Sequence, residues 1–464
     1  MRATLKELQA ALPYATAVNM AGAAVNTQVD GISTDSRNVA AGNLFFALRG
    51  EHFDAHDFLP QVAAQGAAAV VVERLPPGLN MPALIVPDTR IALGQVAQVW
   101  RNKFTLPLIG VTGSNGKTTV KEMIASILAV AFGADGYLAT RGNFNNDIGV
   151  PLTLARLTAA HRVAVVELGM NHPGEIAVLS AIAQPTIALV NNAQREHQEF
   201  MASVEAVAQE NGAVIRSLPA DGIAVFPADD QYTPLWRDYA QSSGQRRIVS
   251  FGLSDAADVR CSYQASDFGS DLQVTIGGDA FAVRLAAAGA HNVRNALAAI
   301  ACTLASGITR EAIVRGLESF APVSGRLQRK AALNGANVID DTYNANPDSV
   351  RAAIDVLKQA DGVRVLVLGD MGEVGSDGRQ FHEEIGAYAH ARGINLLFTL
   401  GQLARHSATA FGAQATHYDD LDALKQALDA ITNKDTTVLV KGSRFMKMER
   451  LVQHLVNEPT REAH

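Results

Sequence analysis

Residue types able to hold and transfer a phosphoryl group are concentrated in one run, Gly110-Val-Thr-Gly-Ser-Asn-Gly-Lys-Thr-Thr119. Gly113, Ser114, Asn115, Gly116, Thr118 and Thr119 would turn backbone N–H groups towards phosphate oxygens. Glycine admits the tight turn, and a following helix N-terminus adds a positive dipole end. Lys117 would reach the β- and γ-phosphates of a nucleotide, and the Thr118 hydroxyl a Mg2+ ion. The spacing departs from G-x-x-x-x-G-K-[ST]: Val111 stands at the first glycine position, with glycines at 110 and 113 instead. The bland reading is a Gly-rich turn that happens to carry Lys-Thr. An apolar strand before the run and an amphipathic helix after it favour the phosphate loop.

Other polar groups stand where apolar runs end. Glu167 follows Val163 to Val166; it reads as a Mg2+ ligand beside a nucleotide, or as a strand-end carboxylate reaching solvent. His197, past the run ending at Val190, reads as a metal or phosphate contact, or as a loop histidine satisfied by backbone or water. Its neighbours Arg195 and Glu196 read as a solvated rim. The segment Arg141 to Asp147, with Asn143 and Asn146, is either an anion or substrate loop or only a loop of turn formers. Further on, Asp341, Tyr343, Asn344 and Asn346 lie between a strand and a helix, where Asn346 before Pro347 also reads as a helix cap. The turns Leu368 to Glu373 and Lys441 to Arg444 end two more strand-like runs. Three such turns after strands in one region favour a shared cleft.

The elements that must position these groups can be read from periodicity. Strand-like runs fall at Leu44 to Leu48, Ala67 to Val72, Ala83 to Val86, Leu106 to Val111, Val163 to Leu168, Thr186 to Val190, Asn337 to Asp341, Val363 to Leu368 and Val438 to Lys441. Helical spacing is clear over 91–103, over Val120 to Ala131, over 291–306 and from Pro347 onward. Between 261 and 285, three runs separated by Gly269-Ser270-Asp271 and Gly277-Gly278-Asp279 read as an antiparallel meander at a sheet edge. Loop composition sets boundaries near 105 and 323, giving segments 1–105, 106–323 and 324–464.

Composition agrees with this picture. At about 150 residues per domain, 464 residues suggest three domains. With 48% hydrophobic and 18% charged residues the chain is core-forming, and sparse aromatics with many Ala, Val and Leu favour α/β. A net charge of −7 argues against nucleic acid as a partner. Two scattered cysteines, Cys261 and Cys302, fit a reducing compartment. The start carries no signal-like apolar stretch, and no run is long enough to span a membrane. The expectation is a soluble, cytoplasmic protein.

Taken together, the run 110–119, Glu167, His197, His291-Asn292-Val-Arg-Asn295-Ala296 and Gly325-Arg326 resemble the Mur ligases. These are three-domain, ATP-dependent, amide-forming enzymes of peptidoglycan synthesis, whose phosphate loop shares the departure at Val111. Thr34-Asp35-Ser36-Arg37 and the stretch 41–57 resemble the family's uridine-nucleotide-binding first domain. Asp340 to Pro347 and Val367 to Glu373 resemble the third domain of members that add D-alanyl-D-alanine; the D-N-P-R motif of members adding the third peptide residue is absent.

The resemblance implies an α/β chain with a central P-loop-type parallel sheet bearing an antiparallel edge and a C-terminal Rossmann-like domain. It implies ATP as substrate, Mg2+ as cofactor, UDP-N-acetylmuramoyl-tripeptide and D-alanyl-D-alanine as partners, and a monomer. Lys117, Glu167 and His197 would serve the chemistry, with Thr118, Glu167 and His197 at metal. Asn292, Asn295, Arg326 and Asp341 would place the nucleotide. Thr34, Asp35, Ser36, Arg37, Phe46 and Arg49 would bind the UDP end, Asn143 and Asn146 the sugar-peptide, and Tyr343, Asn344 and Asn346 the dipeptide. Many family members carry a carbamylated lysine after the histidine motif; the stretch Val207 to Ala213 has none, leaving Glu210, Asn211 or water as stand-ins. Competing readings are a Mur-type ligase adding the third residue, a polyglutamate synthase, and an ATP-driven switch that ligates nothing.

Overall fold

The computed structural model describes residues 1–196, 199–242, 244, 246–266 and 268–457. Three sheets of five, nine and six strands succeed one another along the chain, beside a two-stranded ribbon that pairs Arg2–Thr4 with Gln28–Asp30. We refer to them as the first, second and third lobes.

In the first lobe the strands run in the order Thr16–Val18, Ala83–Ile85, Ala69–Val72, Leu44–Phe46, Ile32–Ser33. All pairs are parallel except the first. Both faces are covered: Leu44, Phe46, Val71 and Leu84 enter one core and Phe45, Val70, Val72 and Ala83 another. That is why these runs are continuously apolar. The helix read over 91–103 starts earlier, at Thr89, because the Asp88 carboxylate accepts from the N–H groups of Arg90 and Ile91 and so caps it.

The second lobe is built on β1 (Leu108–Thr112), α1 (Lys117–Phe132), β2 (Val163–Glu167), β3 (Ile187–Val190) and α2 (Ala290–Ala305). β1 lies between β2 and β3, with parallel pairing to each. Period-two alternation divides it: Ile109 and Val111 pack with Val120, Ile124 and Leu128 of α1, while Leu108 faces the opposite core with Val166, Phe226 and Trp236. The chain leaves β1 towards β2 on one side and returns to β3 on the other. The C-terminal end of β1 is therefore the crevice where a doubly wound sheet binds ligands. The meander read between 261 and 285 is present as Val259–Ser266, Gly269–Ile276 and Asp279–Leu285, antiparallel at the far edge.

The third lobe contains β4 (Asn337–Asp341), α3 (Pro347–Leu357), α4 (Gly378–Ala391) and β5 (Thr436–Lys441). Its sheet is parallel apart from the edge pair of Gln328–Ala331 with β4. Ile339, Leu366, Leu368 and Leu439 fill one face, and Val338, Val365, Val367, Val438 and Val440 the other. Among the described residues no helix is long and apolar enough to cross a membrane.

Candidate functional site

One cleft of about 1210 Å3 is lined by residues of all three lobes, from Arg90 to Arg444. Its floor is the loop between β1 and α1. Gly113 and Gly116 take φ of +136° and +82°, where a side chain is strained, and a Cβ on Gly116 would lie 2.4 Å from Asn295 Oδ1. The loop is braced from the segment after β3: the Ser114 and Asn115 N–H groups donate to the Asn192 carbonyl and side chain at 3.2 and 2.9 Å. Asn191 Nδ2 donates to the Asn115 carbonyl (2.8 Å) and to Asn295 Oδ1 (2.9 Å). The first N–H groups of α1 lack intrahelical partners by helix geometry and open onto the cleft.

Lys117 Nζ donates to the carbonyls of Gly113 (2.5 Å) and Ser114 (3.2 Å) and pairs with Glu196 at 3.3 Å. Thr118 donates its hydroxyl proton to Glu167 Oε1 (3.2 Å) and accepts from Arg326 Nη2 (2.9 Å). Glu167 is 1% exposed at the end of β2. Its Oε1 also accepts from Asn145 Nδ2 at 2.8 Å, while Oε2 is buried without a partner. An orphaned buried carboxylate oxygen beside a hydroxyl, facing a cleft, suits a cation. Among the described residues no three His, Cys, Asp or Glu side chains cluster as a ready-made metal cage. Mg2+ does not need one, because it keeps water and takes phosphate oxygens beside one or two carboxylates.

Asn292 and Asn295 are buried in α2 and face the loop: Asn295 Nδ2 donates to Asn292 Oδ1 (3.2 Å), and Asn292 Nδ2 to the Ala288 carbonyl (2.9 Å). Half-buried His291 lines the same wall, and desolvation lowers its pKa to about 4. From the third lobe, Arg326 stacks on the Tyr343 ring at 4.1 Å, with Arg444 6.0 Å from the same ring. Asp341 accepts from the Leu327 N–H (3.1 Å) and pairs with Lys441 at 2.6 Å; Lys441 also donates to the Asn344 carbonyl (2.8 Å). Asn346 does two jobs. It caps α3 in a capping box with Ser349, and its Nδ2 donates to Asn115 Oδ1 of the phosphate loop at 2.9 Å.

The cleft thus gathers Ser114, Asn115, Gly116, Lys117, Thr118, Thr119, Asn143, Asn146, Glu167, Asn292, Asn295, Arg326, Asp341, Tyr343, Asn344 and Asn346. Asn146 also caps the short helix Gly149–Leu154 through the Gly149 N–H (2.8 Å). His197 lies outside the described residues. Thr34, Asp35, Ser36, Arg37, Phe46 and Arg49 are not among the lining residues. Arg37 grips Asp35 in a fork at 2.9 and 2.8 Å, and Arg49 faces Asp54 and Glu73. Phe46 needs correction as a ligand contact: its side chain is fully buried in the first lobe's core and has no face left to offer.

Two other expectations change. Arg195 and Glu196 are no solvated rim. Arg195 is half-buried between Asp348 and Glu384 of the third lobe, which push its pKa up, and Glu196 is buried against Lys117. Neither stand-in for the missing lysine lines the cleft. Asn211 is fully buried and accepts from the Thr112 hydroxyl at 2.6 Å; Glu210 caps the helix Glu175–Ala183 by accepting from the Gly174 and Ile176 N–H groups. Asn145 escaped the sequence reading because an Asn in a turn-rich loop carries no signal until the fold sets it against Glu167.

Phosphate loop, metal-suited carboxylate and a third lobe closing over both define a nucleotide-dependent enzyme class, and comparison with known proteins supplies the family. Residues 28–101 match the catalytic domain model of the Mur ligase family, 111–303 the Mur ligase middle domain and 325–444 the Mur ligase glutamate ligase domain. The UDP-N-acetylmuramoyl-tripeptide–D-alanyl-D-alanine ligase of Haemophilus influenzae is 40% identical over 439 residues, covering 93% of this chain and 94% of the relative. The ligase of the same name from Escherichia coli is 39% identical over 444 residues, at 93% and 95% coverage. This chain belongs to the Mur ligase family. Its fold is similar to a crystal structure of MurF from Acinetobacter baumannii, with a TM-score of 0.91, 36% identity and 99% of each chain covered. It is also similar to MurF ligase from Thermotoga maritima in complex with ADP, with a TM-score of 0.82, 25% identity and 93% and 98% covered.

Proposed function

We propose that this chain joins D-alanyl-D-alanine to UDP-N-acetylmuramoyl-tripeptide at the expense of ATP. The observation that carries the reading is the convergence of three lobes on one cleft, with a phosphate loop and an orphaned carboxylate at its floor. The similarity to ligases of that name over nearly the full length supports it. In this reading residues 1–105 hold the UDP end, 106–323 hold ATP, and 324–464 complete the nucleotide site and bring the amine. The enzyme works as a monomer in the cytoplasm.

A carboxylate does not acylate an amine at neutral pH, because its oxygen is a poor leaving group. ATP solves this by phosphorylating the tripeptide's terminal carboxylate, with ADP leaving. The amine of D-alanyl-D-alanine then attacks the acyl carbon, the C–O bond to phosphate breaks, and phosphate departs. Lys117 and the N–H groups at the start of α1 stabilise charge on the transferring phosphoryl group. Thr118 and Glu167 would hold Mg2+, which supplies neutralisation of phosphate charge when bound. Asn292, Asn295, Arg326 and Asp341 fix the nucleotide between the lobes. Asn143 and Asn146 lie on the sugar-peptide side, Tyr343, Asn344 and Asn346 on the dipeptide side, and Thr34 to Arg37 with Arg49 on the UDP side. Closure of the third lobe keeps water from the acyl phosphate.

ADP release is the test. Turnover that requires both UDP-muramoyl-tripeptide and D-alanyl-D-alanine supports the reading. Turnover with neither substrate would leave a nucleotide switch, and turnover with another amine would leave a different ligase of the family.

A further inference from the structure

Arg195 lies in the segment that follows β3, in the second lobe, yet every hydrogen bond of its guanidinium crosses to the third lobe. Nη2 lies 2.6 Å from Asp348 Oδ1, in the first turn of α3, and Nε 3.2 Å from each oxygen of that carboxylate. Nη1 and Nη2 reach Glu384 of α4 at 2.8 and 3.1 Å. The Arg195 N–H donates to Asp348 Oδ2 at 3.0 Å, and the guanidinium covers the Phe381 ring at 5.4 Å. Arg351 balances the second carboxylate at 2.8 Å from Glu384. Two guanidinium groups and two carboxylates thus form a neutral, half-buried network across a lobe boundary.

The same segment grips the phosphate loop from its other side. Gln194 N–H donates to Ser114 Oγ (2.8 Å), Gln194 Oε1 accepts from Asn115 Nδ2 (2.7 Å), and Glu196 pairs with Lys117 (3.3 Å). A rigid two-carboxylate fork on one side and three polar links on the other make this short segment a strut between α3–α4 and the phosphate loop. Arginine's planar donors fix orientation as well as distance, which a lysine cannot. Polar contacts of this kind suit a lobe that must also open.

We propose that Arg195 is a positioning residue that registers the third lobe on the phosphate loop, so that the amine-bearing side closes only onto a correctly set phosphoryl site. The proposal rests on the ligase reading for what closure achieves, but not for whether closure depends on Arg195. Without the strut the lobe would stay open longer, and water would compete for the acyl phosphate: it adds at the acyl carbon, the C–O bond breaks, and carboxylate and phosphate are released without an amide.

The test has two arms on the full chain. Small-angle scattering without substrates should show Arg195→Met more extended than the parent, Arg195→Lys in between, and the parent extending at high salt. Asp348→Asn with Glu384→Gln should reproduce the effect from the other lobe, which covers the case that Arg195→Met fails to fold. In turnover, Arg195→Met should raise the KM for D-alanyl-D-alanine about tenfold and release more than one ADP per amide. Scattering curves that superimpose on the parent's overturn the strut. An extended variant that still makes one amide per ADP overturns its registering role. A parent that turns over with neither substrate overturns the ligase reading and leaves the scattering arm to decide the strut.

Discussion

Replacing Glu167 by Gln should move stability and activity in opposite directions. Glu167 is 1% exposed, and one of its two oxygens has no partner. An unsatisfied buried polar atom costs ~1–3 kcal/mol, more when charged. Gln keeps the shape, can accept from Thr118 and Asn145 as Oε1 does now, and leaves only a neutral orphan. The metal-free protein should therefore gain on the order of 1 kcal/mol, or roughly 2–4 °C in Tm for a lobe of this size. Ligation should fall at least ~10–100-fold, the loss seen when even outer partners of a metal are removed. Calorimetry of the metal-free protein and ADP release with titrated Mg2+ read the two effects. A lower Tm would refute the argument from the orphaned oxygen. Unchanged turnover and Mg2+ dependence would refute the metal assignment.

Three further outcomes are expected. Lys117→Ala should cut ligation by on the order of 10²–10³-fold with unchanged circular dichroism, because Asn191 and Asn192 brace the loop backbone at Asn115 without the ammonium. For His291 the folded pKa of about 4 lies below the unfolded value of about 6.5, so its stability contribution is complete above pH 6.5 and is lost as pH falls towards 4. His291→Asn should flatten that part of a urea-midpoint profile; buried His382, also lowered by desolvation, should leave a residual slope. Gly316→Ala should destabilise by ~1–3 kcal/mol in urea, since a Cβ there would lie 2.4 Å from Ile127 Cα where two helices touch.

What could be read from the sequence follows from which signals are local. β1, β2 and α1 were legible because their apolar periods are clean and the loop between them has few conformations open to it. Asn346 was legible as a cap because capping depends on the next few residues, and α3 starts at Pro347 as expected. Phe46 misled for the opposite reason: its place at the UDP end rests on the family resemblance, while the run Leu44 to Leu48 shows only that a strand is present, not that both of its faces are covered. Arg195 was read as rim because its partners, Asp348 and Glu384, are 153 and 189 residues away. Nothing near position 195 announces them. The three-unit α/β architecture came from composition and alternation; the closing of the units onto one another came from long-range polar pairs that have no period.

The cleft's charge balance explains how a chain of net charge −7 could manage strongly anionic ligands. Arg90 pairs with Asp147, Lys117 with Glu196, Arg195 with Asp348, Arg294 with Asp229, Lys441 with Asp341 and Arg444 with Glu449. Among the described lining residues, Arg326 alone of the Lys and Arg side chains has no carboxylate within ion-pair distance; it is held by Thr118 and the Tyr343 ring. An anion entering this cleft therefore exchanges partners rather than filling an open positive field. Exchange lowers the net gain per contact, since each displaced carboxylate must find water or another cation. It also favours a ligand that reaches several pairs at once over a lone phosphate that reaches one. Glu196, the partner of Lys117, adjoins Arg195 in sequence. A phosphate taking Lys117 would thereby act on the same segment that meets the third lobe.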